Sequence, residues 1–181
     1  MNKTTWIALT CGVLSLAGNA WADTVHNTLT PQEKADGWVL LFDGETLKGW
    51  KDYNDSKLTV PWHVVDGCIQ AKGTGSDATG YIVTDKEYEN FELSWDWKLS
   101  KGGNSGMLYH VVENPLFKVP YVTGPEYQLI DEPNFPEPLE EWQKTGVDYA
   151  MHLPDRSKMK INPYGEWNNA RIVFDNGHVE H

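Results

Sequence analysis

Apolar and polar residues alternate without a break from position 91 to 99. Phe91, Leu93, Trp95, Trp97 and Leu99 are interleaved with Glu92, Ser94, Asp96 and Lys98. A period of two predicts a β-strand with one face in a core. Shorter apolar runs predict further strands at residues 38–42, 62–65, 68–71, 81–84, 107–112, 126–131, 147–152 and 170–174, with one more beginning at His178. Asp66-Gly67 separates the second and third of these runs and predicts a two-residue hairpin turn. Helical signals are sparse. Thr30-Pro31-Gln32-Glu33 reads as a capping box with proline at the first helical position, and Gly37 ends that helix after barely two turns. Residues 139–144 predict one further helical turn. Many short strands between Gly, Asp and Asn turns argue an all-β antiparallel sandwich or jelly roll.

The first 22 residues stand outside this pattern. Lys3, an apolar run over 7–18 and Ala20-Trp21-Ala22 have the order of a secretory leader cut after Ala22. A lipidated Cys11 is the weaker alternative, since Cys11 lies inside the apolar run and follows the large Thr10. The leader predicts a periplasmic or secreted protein with no membrane insertion after cleavage. Residues 23–29 read as a polar, disordered lead, and 30–181 as one β-sandwich domain. The chain stops a few residues into the return strand of its last hairpin, so the sandwich is expected to be incomplete at its C-terminal end.

Charge and cysteines narrow the function. The net charge is −11, one unit more negative once Lys3 is removed. Such a chain repels phosphate backbones and argues against nucleic acid as partner. Only Cys68 remains after the leader, so stability rests on packing rather than on an intrachain disulfide. Nine Trp, eight Tyr and five Phe furnish a sandwich core, and any left at the surface can stack on sugar rings. The Gly- and Ser-rich loop at 72–80 is no phosphate cradle, because no amphipathic helix follows it. Oligomeric state is not legible.

Candidate chemistry concentrates at residues 102–131. Glu126, Gln128 and Ile130 share one strand face, and Asp131 joins them only across a bulge. On the preceding strand His110 shares a face with Leu108 and Val112. Were the two strands to face one groove, His110, Glu126, Gln128 and Asp131 would converge. Paired carboxylates can divide acid and base work, and a histidine beside them can move protons or bind a metal. The plainer alternative is that these carboxylates cap turns or face water. Arg171 lies on the polar face of its strand, where it can grip an oxygen or form a surface ion pair. His178 and Glu180 share a face on the last strand.

Several blocks resemble one family. Gly37-Trp38-x-x-Leu41-Phe42-Asp43-Gly44, Leu47-x-Gly49-Trp50, Trp62-x-Val64-x-Asp66-Gly67-x-Ile69, Tyr88-x-Asn90-Phe91-Glu92-Leu93, Gly103-Asn104-Ser105-Gly106 and Gly124-Pro125-Glu126-Tyr127-Gln128-Leu129-Ile130-Asp131 occur in order. Gly165-Glu166-Trp167-Asn168 and Asp175-Asn176-Gly177 follow. Together they resemble the 3-keto-disaccharide hydrolases. The resemblance implies a concanavalin A-like sandwich and a carbohydrate substrate. It also implies cleavage by removal of the C2 proton beside a C3 ketone, expulsion of the C1 substituent and addition of water. By residue type and position, Glu126 or His110 is then the base, and Arg171 or a divalent metal stabilises the enolate. Asn104, Gln128 and Asp131 hold hydroxyls, and Glu180 completes the site with Arg171 from the C-terminal strands. A non-catalytic carbohydrate-binding module and an ordinary glycosidase of the same fold are the alternatives.

Overall fold

A computed structural model describes residues 5–9, 26–71 and 80–181. Its strands are β1 (Thr5–Leu9), β2 (Trp38–Leu40), β3 (Trp50–Asp52), β4 (Trp62–Val65), β5 (Cys68–Ala71), β6 (Ile82–Thr84), β7 (Phe91–Trp97), β8 (Asn104–Leu108), β9 (Glu126–Ile130), β10 (Asn168–Asp175) and β11 (His178–Glu180). The one α-helix among the described residues, α1 (Pro31–Asp36), starts on the expected box. The Glu33 amide donates to Thr30 Oγ1 at 3.2 Å, and the Thr30 amide donates to Glu33 Oε2 at 2.7 Å. Gly37 closes it at φ 89°. The β4–β5 hairpin turns through Asp66 and Gly67 at φ 50° and 72°, the two left-handed residues that its turn requires.

A five-stranded sheet has the order β11-β10-β7-β1-β2, and the pairs β3-β6, β4-β5 and β8-β9 surround it. All pairings are antiparallel except the two made by β1, which runs parallel to both β2 and β7. Thr5–Leu9, within the segment read as a leader, therefore supplies a strand here, and cleavage after Ala22 would take that strand away. The rest of the leader, residues 1–4 and 10–22, lies outside the described residues. The 23–29 segment is described from His26 on. Asn27 is buried and its Nδ2 donates to the Gly67 carbonyl at 2.9 Å, which pins the chain to the β4–β5 turn.

The core lies between the five-stranded sheet and the β8–β9 pair. Phe91, Leu93, Trp95 and Trp97 of β7 and Ala170 and Ile172 of β10 pack against Tyr127 and Leu129 of β9. The Trp95 and Tyr127 rings meet edge to face at 5.1 Å. Burying each large side chain there contributes about 1.5–3 kcal/mol, so the pairing of these faces is strongly specified. Period two then sends the alternate residues outward. Glu126 and Gln128 leave from the outer face of β9, and Arg171 leaves from the outer face of β10 on the opposite side of the sandwich.

Two expected strands differ. The run over 107–112 forms β8 three residues earlier and ends at Leu108; His110 turns the chain at φ 50°. The segment 147–152 makes isolated bridges, Tyr127 to Asp148 and Asp148 to His152, around Ala150 at φ 60°. A left-handed residue reverses the chain, which apolar content alone does not reveal.

Candidate functional site

Glu126 opens β9, directly across from Leu108. Its carboxylate has no hydrogen-bond or ion-pair partner among the described residues. It is half-buried, and loss of water raises its pKa from 4.5 to about 7. With no cation or donor to offset desolvation, the neutral acid and the anion are nearly equally stable at physiological pH.

The surface around it comes from three strands' worth of backbone. Gly106 lies opposite Gln128, and Asn104 opposite Ile130, so Asn104, Gly106, Leu108, Glu126, Gln128 and Ile130 share one face. On the far edge of β9 the Gln128 amide donates to the Val147 carbonyl at 3.1 Å, and the Tyr149 amide donates to the Glu126 carbonyl at 2.9 Å. Tyr127 pairs with Asp148 on the core side, so Tyr149 falls on the Glu126 side. The Trp142 ring meets Tyr149 edge to face at 5.3 Å and is 42% exposed. Glu126 thus has an amide-bearing neighbour, Gln128, along its strand and an aromatic pair beside it. Gln128 is buried, and its Oε1 accepts the Leu129 amide at 3.1 Å, leaving the Nε2 hydrogens as the donors it can offer.

The remaining predicted residues do not converge on this face. His110 lies beyond the end of β8, exposed, with its ring 3.9 Å from that of Phe174 and Nε2 3.0 Å from the Glu89 carbonyl. That places it at the rim of the core, on the other side of the β8–β9 pair. Asp131 follows β9 without the bulge that would turn it toward Glu126. It accepts from the Gly102 amide at 2.7 Å and from Asn134 Nδ2 at 3.1 Å, so it ties the β7–β8 connection to the end of β9. Arg171 pairs with the buried Glu92, and Glu180, opposite Val173, lies on the same outer face. Alternation had put Arg171 on the polar face of its strand, and there it is exposed, between the buried Ala170 and Ile172. Which polar faces adjoin depends on how the sheets stack, and the stacking separates Arg171 and Glu180 from Glu126 by the thickness of the core.

Two other polar clusters lie nearby. Behind β9, Tyr109 Oη is 3.2 Å from His181 Nε2, and His152 Nδ1 is 2.9 Å from Asp148 Oδ2. Burial pushes the Tyr109 hydroxyl up and His181 down. At the other end of β9, about 15 Å from Glu126 at roughly 3.4 Å per residue, a cavity of about 300 Å³ is lined by Trp97, Ile130, Asp131, Glu132, Arg156 and Tyr164 among others. Its charged groups are mutually satisfied: Arg156 Nη2 reaches both Glu132 oxygens at 2.9 Å, and Asp131 holds its turn. Of the carboxylates on and beside β9, Glu126 is the one with no hydrogen-bond or ion-pair partner among the described residues, and it lies outside the cavity. Nor is there a donor set for the divalent metal raised as a possible stabiliser: no cluster of three His, Cys, Asp or Glu side chains able to hold one occurs among the described residues.

Residues 37–181 match the 3-keto-alpha-glucoside-1,2-lyase-like domain family. The chain belongs to this family. Within it, the chain is 35% identical over 170 residues to a 3-keto-disaccharide hydrolase of Bacteroides thetaiotaomicron, covering 81% of this chain and 56% of that protein. The chain thus spans little more than half the length of that relative. A crystal structure of a Parabacteroides distasonis protein described as a candidate glycosyl hydrolase superposes with a TM-score of 0.77 at 48% identity, over 86% of this chain and 71% of that one. These likenesses agree with the β-sandwich read from the strand pattern. Gly106, Tyr149 and Trp142 were not among the residues that the sequence singled out. Gly106 stands two residues past Asn104 in the Gly-Asn-Ser-Gly block, but its proximity to Glu126 depends on the β8–β9 register.

Proposed function

We propose that this protein cleaves 3-keto-glycosides, 3-keto-disaccharides foremost, with Glu126 as the base. The observation that carries the reading is the lone, half-buried Glu126 carboxylate poised at about pKa 7. A base works best with a pKa near the working pH. A ketone at C3 acidifies the hydrogen on C2. Glu126 takes that proton, and the electron pair passes into the C2–C3 bond and onto the ketone oxygen as an enolate. The enolate collapses, the C1–O bond breaks, and the departing alkoxide takes up the proton that Glu126 now holds. Water then adds to C1 of the enone as a proton returns to C2, which completes a net hydrolysis. Stopping before the last step is a lyase reaction, so one base serves both descriptions carried by the relatives. Gln128 is the donor placed to meet the enolate oxygen, and Trp142 with Tyr149 offers a stacking surface to a sugar ring.

An ordinary glycosidase needs two carboxylates facing the bond, roughly 5–9.5 Å apart. The Glu126 face of β8 and β9 holds Asn104, Gly106, Leu108, Gln128 and Ile130 and no second acid. A plain sugar offers no carbonyl to accept the charge, so a single base has nothing to act on. The test is incubation with matched plain and 3-keto disaccharides, with products followed by NMR. Cleavage of the keto sugar alone, abolished by Glu126→Gln in a folded protein, is expected. Full activity in Glu126→Gln sinks the assignment, cleavage of the plain sugar points to the glycosidase, and binding without cleavage to a binding module.

A further inference from the structure

We infer that Gly106 is a positioning residue, whose lack of a side chain lets the Glu126 carboxylate lie across the β8–β9 pair and out of water. The place directly opposite Glu126 is filled by Leu108. The glutamate therefore leans along the diagonal of the antiparallel pair, a reach that long side chains can make, and its carboxylate comes to rest over Gly106. A β-carbon built on Gly106 would stand 1.8 Å from Glu126 Oε1, 2.6 Å from Cδ and 2.7 Å from Cγ, against 3.4–4 Å for ordinary contact.

Of the other tight glycines among the described residues, Gly80 and Gly146 face apolar side chains, Val60 at 2.5 Å and Met159 at 2.3 Å from a β-carbon built there, but their φ of 70° and 85° by itself favours glycine. A β-carbon on Gly103 would meet the Ser100 carbonyl at 2.9 Å, and one on Gly124 the Tyr109 carbonyl at 2.7 Å, so these allow backbones to pass. At Gly106 the nearest atoms all belong to the far end of one ionisable side chain. Nor does the backbone need glycine there, since Gly106 is not among the residues with positive φ. Alanine fits that strand conformation without strain. The three atoms nearest to the methyl group are Oε1, Cδ and Cγ of Glu126, on a flexible side chain that can turn aside by rotation about its own bonds. Gly106→Ala should therefore fold, with Glu126 re-aimed toward solvent and ionising in the ordinary carboxylate range.

The consequence for turnover rests on the reading of Glu126 as base, and the experiment keeps the two claims apart. Glutamate side-chain carboxyl carbons labelled with ¹³C are titrated by NMR in the full chain, with Glu126→Gln identifying the resonance. In the wild type that resonance is expected to titrate near 7; in Gly106→Ala it should move down by roughly two pH units. Turnover of a 3-keto disaccharide should fall about 100-fold, mostly in kcat, the effect of an ångström-scale misplacement of a reacting group. A resonance still titrating near 7 in Gly106→Ala overturns the inference. So does failure of Gly106→Ala to fold, since the methyl would then have struck something less yielding than the carboxylate. A resonance that moves while turnover stays at the wild-type level upholds the positioning and removes Glu126 from the chemistry.

Discussion

Burial of an unpaired carboxylate has a stability cost that can be read without any substrate. In the unfolded chain Glu126 ionises at about 4.5, and in the folded chain at about 7. Below pH 4.5 the group is protonated in both states and costs nothing. Between the two values the unfolded chain ionises first, which draws the equilibrium toward unfolding; above pH 7 the penalty is complete. The full displacement is worth about 3 kcal/mol at roughly 1.36 kcal/mol per unit, and partial exposure of the carboxylate reduces this to about 2 kcal/mol. Glu126→Gln keeps the shape and removes the charge. Urea unfolding followed by tryptophan fluorescence, run on wild type and variant from pH 4 to pH 8.5, isolates the difference, because every other carboxylate cancels. The two proteins should be nearly equally stable at pH 4, with the variant about 2 kcal/mol the more stable by pH 8. Parallel curves, or a wild type that gains on the variant as pH rises, would show that Glu126 is either solvated or paired with a cation.

Two further substitutions examine the face on which the site is placed. Trp142→Ala removes the exposed half of the aromatic pair beside Glu126 and should raise KM for a 3-keto disaccharide by about 5- to 10-fold, the worth of a stacked ring of roughly 1 kcal/mol, with kcat little changed; an unaltered KM would take the sugar off that surface. Arg171→Ala leaves Glu92, 7% exposed, without its ion partner and should destabilise the fold by about 2 kcal/mol, detected by urea unfolding. A loss of kcat matching that of Glu126→Gln would return Arg171 to the site.

The strand between residues 91 and 99 was legible because its period is local: each side chain's burial follows from its parity. The helix cap at Thr30, the turn at Asp66-Gly67 and the apolar face of Trp95 and Trp97 came through for the same reason. The end of β8 was not legible, because His110 departs from the strand by adopting a left-handed conformation that no neighbouring residue announces. Asp131 and Arg171 looked like parts of a site because both are polar groups on or beside strands. In the fold one ties a loop and the other neutralises Glu92.

What the residues determined alone is the set of half-buried strands, their turns and which side chains each turns outward, since these depend on contacts a few residues apart. The family blocks carried the relationship as well. Which outward faces meet was decided only by tertiary structure. The burial of Phe91, Leu93, Trp95 and Trp97 against Tyr127 and Leu129 orients two sheets at once, and in doing so sends Glu126 to one side of the sandwich and Arg171 to the other. The register of β8 on β9, set by that same packing, is what brings a glycine under the Glu126 carboxylate.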